Sequence, residues 1–104
     1  MNLIENYNLI QKRIEGCLEQ KMPVPKALYK EQFALLTQIN DKFEKESIED
    51  ISCYERGLRY NVLLTRLAKK IGEPFEKYVN KVKNYAFKLT GEELTEEEKL
   101  SLEI

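Results

Sequence analysis

Apolar residues return every three or four positions through most of this chain, and that period restricts it to helices. Four runs carry the pattern. Leu3, Tyr7, Ile10, Ile14 and Cys17 form the first, and Tyr29, Phe33, Leu36 and Phe43 the second. A broad third run takes in Ile51, Tyr54, Leu58, Val62, Leu64, Leu67 and Ile71. Phe75, Tyr78, Val82, Tyr85 and Leu89 form the fourth. A recurrence near 3.6 residues puts each run on one face of an α-helix, where burying it requires a second helix. Alternation with a period of two never persists, and no Asn-Gly or Asp-Gly pair marks a hairpin.

The breaks between runs are short. Met22-Pro23-Val24-Pro25 ends the first, because Pro25 biases Val24 away from helical angles and suits the first turn of the next helix. KESIED, residues 45–50, separates the second from the third, with Ser47 or Ser52 as the expected cap. Gly72 closes the third run, and Pro74 falls at the start of the fourth. Asn2 with Glu5 is an N-cap pair for the first helix, and Thr95 with Glu98 has the capping-box spacing. Connections this short join neighbouring helices. The expected fold is all-α: an antiparallel four-helix bundle-like domain with a short extra C-terminal helix. The helices are expected at about 3–20, 25–45, 48–71, 74–89 and 95–102, within a single helical domain spanning 1–104.

The chain has no histidine, which removes the commonest general base and metal ligand together. Cys17 and Cys53 are far apart in sequence and read as small buried hydrophobes with free thiols. Neither a phosphate-cradling GxxxxGK[ST] loop nor a GxSxG elbow is present. The glutamates at 92, 93, 96, 97 and 98 lack calcium-loop spacing and read as a solvated helix start. A non-enzymatic protein with no cofactor and no metal is expected. The N-terminus has no basic stretch before an apolar run, and no apolar run is long enough for a membrane span. A cytoplasmic protein without membrane contact is the corresponding expectation.

Charge is unevenly distributed. Residues 56–90 hold nine lysines and arginines against Glu73 and Glu76, whereas the final fourteen hold Lys99 against six glutamates. Arg56, Arg59, Arg66 and Lys70 form one helical row, and Lys77, Lys81 and Lys88 form another. If their helices lie side by side, both rows border one basic surface. Between them, the sequence LAKKIGEPFEKYV resembles the corner of a helix-turn-helix DNA reader. Ala68 and Gly72 have the motif's separation of four, and Tyr78 stands where a branched apolar anchor belongs. The same stretch also suits an ordinary joint between two helices of a bundle.

These features point to a small helical protein that binds another protein, as a regulator or inhibitor of that partner. The alternative is a DNA- or RNA-binding regulator using the basic helix pair of residues 56–88. A pI near 5.6 weighs against nucleic acid. Self-association into a homodimer through the near-heptad stripe Leu3–Cys17 is a further expectation.

Overall fold

The structure, a computed structural model, describes residues 2–91 and, beyond them, Glu97. Among these residues the chain forms four helices: α1 (Leu3–Glu19), α2 (Lys26–Glu46), α3 (Ile51–Ile71) and α4 (Glu76–Thr90). The fold is all-α, as the periodicity requires. The expected short helix at 95–102 lies, Glu97 apart, outside the described residues.

Two of the described helices, α1 and α3, begin where a side chain accepts from their first amide hydrogens, whereas α2 and α4 have no side-chain cap. Asn2 caps α1, its side chain accepting from the Glu5 N–H at 2.8 Å. Asp50 caps α3, accepting from the Cys53 N–H at 2.7 Å. Neither Ser47 nor Ser52 has that role, because the carboxylate gives a stronger acceptor to the N-terminal end of the helix dipole. Consequently α3 starts at Ile51 rather than 48. Pro25 is the N-cap of α2 rather than its first helical residue. On α4, Phe75 holds the N-cap position, so the helix starts two residues beyond Pro74.

α1 packs on α2, α2 on α3, and α3 on α4. Leu36, Leu64, Leu67, Ala68 and Tyr78 form a buried cluster, with Tyr7, Phe33, Tyr60 and Phe75 closing around it. Leu36 and Leu64 are essentially sealed from solvent, and burying each is worth about 2 kcal/mol. Two edge-to-face ring pairs fix the helix spacing: Phe33 with Tyr78 at 5.9 Å, and Phe43 with Tyr60 at 5.5 Å between centroids. α1 contributes Ile10 and Ile14 to the interior, and Gln32 of α2 donates to Gln11 of α1 at 2.5 Å.

The corner between α3 and α4 belongs to a bundle. Gly72 adopts φ 78°, and the Glu73 N–H bonds back to the Ala68 carbonyl at 2.8 Å, which ends α3 in a left-handed cap. The two helices of a helix-turn-helix diverge at roughly 90–120°. Here Gly57 and Tyr85 touch, although they lie about 21 and about 14 Å of helix away from the corner. Helices in contact so far from their joint lie alongside one another. The resemblance of LAKKIGEPFEKYV to a DNA-reading corner is therefore a likeness of sequence spacing and not of geometry.

Candidate functional site

The seven basic residues singled out by sequence occupy two different surroundings. On α3, Arg59 and Arg66 stand two turns apart on the exposed side, opposite the buried row Gly57, Asn61, Leu64 and Ala68. Neither has an ionic partner among the described residues. Arg56 lies one turn before Arg59 on the same flank and is also exposed and unpaired among them. Lys70 ends the row, its ammonium 4.6 Å from the centre of the Tyr29 ring.

The α4 row turns elsewhere. Lys81 forms an ion pair with Glu44 of α2 at 2.6 Å, and Lys88 reaches Glu49 of the α2–α3 connection at 3.6 Å. Lys88 also lies over the Tyr54 ring at 5.1 Å, and Lys77 over Tyr78 at 4.9 Å. An ammonium over an aromatic face is held by the ring quadrupole. The tyrosines, placed on the apolar stripes by the sequence, thus act at their rims as seats for lysine. Glu49 gains from the same cluster. Its hydrogen bond from the Tyr54 hydroxyl and then the Lys88 charge hold its carboxyl below the ordinary range, and the carboxylate in turn pushes the Tyr54 phenol up.

Arg56 introduces a feature that periodicity does not reveal. The N-terminal end of α1, the C-terminal end of α2 and the N-terminal end of α3 enclose an open cleft of about 660 Å³. Leu3, Ile4, Ile39, Phe43 and Tyr60 give it apolar walls, while Lys42, Glu46 and Arg56 supply charge. Its size falls in the range of ligand or side-chain pockets. Ile4 is 55% exposed at its edge. Ile48 and Ile51, 68% and 67% exposed, follow in sequence from the lining residue Ser47. Of these three, only Ile4 is among the residues that line the cleft. In the sequence Ile4 stands beside the first apolar run and Ile48 in the second connection, whereas Ile51, read as the start of the third run, is exposed in the structure.

Both cysteines are free, Cys17 on α1 and Cys53 on the cleft wall. Among the described residues, no group of three or more Cys, Asp or Glu side chains is placed to hold a metal ion. Of the C-terminal acidic cluster only Glu97 is described. No helix among the described residues is long and apolar enough to cross a membrane.

Among the described residues the chain is an all-α module of four helices, with an open cleft of mixed apolar and charged lining to which Arg56 of the arginine row belongs. No family model matches the chain, and neither a curated protein nor a solved structure matches it.

Proposed function

We propose that the protein is non-catalytic and works by binding another protein, through the end of the bundle where α1, α2 and α3 meet. The supporting observation is the open apolar cleft with Ile4 exposed at its edge. Burying such surface against a partner recovers the hydrophobic free energy that the isolated chain forgoes, at roughly 25 cal/mol per Å². Arginines with no ionic partner among the described residues, beside apolar lining, have the composition of interface anchors. Regulation or inhibition of the partner is the consequence expected of a module that contributes surface and no reacting group.

A photo-crosslinking residue at position 4, introduced in the cells that make the protein, tests this reading. The expected result is one protein, identified by mass spectrometry, that rebinds in purified form and loses affinity when Ile4 becomes Glu. Recovery of nucleic acid alone overturns the proposal in favour of the DNA- or RNA-binding alternative, provided that purified protein then binds random duplex with a steep salt dependence.

A further inference from the structure

Resting on the protein-binding reading, we infer that the docking segment is an acidic amphipathic helix. It lies along Arg56, Arg59 and Arg66 of α3 and places one apolar side chain in the cleft. Arg56 belongs to both features, as the first of the row and as a lining residue of the cleft, so the charged and apolar contacts form one continuous surface. The row recurs at three and seven residues, which keeps it on one flank of α3 over about 15 Å.

Charge selects an acidic occupant. α3 carries a single carboxylate, Glu55, and none of the three guanidiniums has an anionic partner among the described residues. Pitch selects a helix. Arg59 and Arg66 are one heptad apart, about 10 Å along the axis, and a helix laid alongside repeats its own carboxylates at that interval. Leu63, partly buried beside the row and one turn from the lining residue Tyr60, gives such a helix an apolar contact on the cleft side of α3.

A phosphate backbone fits this surface less well. It brings no apolar group for the cleft, and the ring of Tyr60 is already packed edge-to-face by Phe43 rather than offered for base stacking. Three of the four α4 lysines, which a broad nucleic-acid surface would recruit, are engaged: Lys81 with Glu44, Lys88 with Glu49 and Tyr54, and Lys77 with Tyr78.

The test uses the full chain and three probes: a synthetic amphipathic helix of leucine and glutamate about three heptads long, its counterpart with lysine for glutamate, and a random duplex DNA. Binding is read by fluorescence anisotropy and mapped by amide chemical shifts, with circular dichroism confirming that each variant is folded. The glutamate helix is expected to bind saturably and to shift residues 39–43 and 56–66. Arg59→Glu with Arg66→Glu weakens it by about tenfold or more, as does Ile4→Glu, whereas Lys77→Glu leaves it unchanged. Equal binding of the lysine helix, insensitivity to the arginine pair, shifts confined to α4, or preferential binding of the duplex each overturns the inference. A crosslinked natural partner whose contact surface is neutral or basic overturns it while leaving protein binding standing. Failure to capture any protein fells both.

Discussion

The ring of Tyr85 occupies the space where a side chain at position 57 would stand. A methyl group on the Gly57 Cα would lie 2.6 and 2.7 Å from the two ring Cε atoms, and closer still to Cζ. Gly57 costs α3 up to about 1 kcal/mol of intrinsic helix stability, and what it permits is close approach of α4. Tyr85 also reaches Tyr54, at 6.5 Å between centroids, so this contact holds α3 and α4 together far from their corner.

The cost of filling that space is separable from helix propensity. Gly57→Ala is expected to lower stability by about 1 kcal/mol, because overpacking of roughly 1–3 kcal/mol outweighs the propensity gain. In a Tyr85→Ala background the same change should stabilise, by roughly 0.5–1 kcal/mol. Denaturant unfolding of the four proteins in this cycle measures both. A destabilising Gly57→Ala in the absence of the ring would show that the clash is not with Tyr85.

The end of α1 stores a smaller strain. Lys21 adopts φ 54°, a left-handed conformation that costs an L residue roughly 1 kcal/mol. It is held there by the Met22 N–H bond to the Cys17 carbonyl at 2.9 Å and its own N–H bond to Leu18 at 3.1 Å. Lys21→Gly should raise stability by about 0.5–1 kcal/mol without altering the fold. A thermal melt reads the change, and a fall in melting temperature would mean that the lysine stem contributes more than its backbone costs.

Glu44 serves two partners. It accepts from Lys81 at 2.6 Å and from Asn40 Nδ2 at 3.2 Å. The ion pair is about a third exposed on each side, so solvent screening limits Lys81→Ala to roughly 0.2–1 kcal/mol. Glu44→Ala also strips the buried Asn40 amide of its acceptor and should cost about 1–3 kcal/mol. Equal losses in urea unfolding would show that Asn40 gains nothing from the carboxylate.

The architecture was legible because burial follows period. Ile10, Ile14, Leu36, Leu64, Leu67, Tyr78 and Val82 lie on the stripes read from sequence, and all are buried. Boundaries were less legible: Ser47 or Ser52 was the expected cap of α3 and Asp50 holds it, because only the backbone path decides which side chain meets the free amides. The candidate site was least legible. A helical wheel groups residues of one helix, so it found the arginine row. It is blind to a cleft assembled from three helix ends, and to Glu44 and Glu49 pairing with Lys81 and Lys88. Buried Gln32, Asn40, Asn61 and Thr65 likewise fall on inward faces that composition alone would have filled with hydrocarbon.

Alkali should loosen the bundle through its tyrosines. Burial raises the Tyr7 phenol, and burial followed by the nearby Glu44 charge raises that of Tyr85. A group whose folded value lies above its unfolded one holds its proton longer in the native state. The resulting stability is complete below the ordinary phenol value near 10 and is lost as pH rises through the raised folded values. Melting temperature should therefore fall above about pH 10, and Tyr7→Phe with Tyr85→Phe should flatten the fall. An unchanged slope in the double variant would assign alkaline loss to other groups.

Asn61 gives the most demanding test of the interior. It is wholly buried in α3, its Nδ2 donates to the Gly57 carbonyl at 2.8 Å, and its Oδ1 has no partner among the described residues. Asn61→Asp keeps the shape but removes that donor and places a carboxyl where a charge has neither solvent nor counter-ion. At neutral pH the variant should lose about 3 kcal/mol or more, through an uncompensated charge or through the cost of holding the proton. Desolvation raises the carboxyl's folded value above the unfolded value near 3.9, so the penalty shrinks as pH falls and is smallest below that value. Unfolding free energies of the two proteins should therefore converge in acid. A constant gap would mean that the loss comes from the broken bond to Gly57 and not from charge, and that the Oδ1 environment is more polar than its burial indicates.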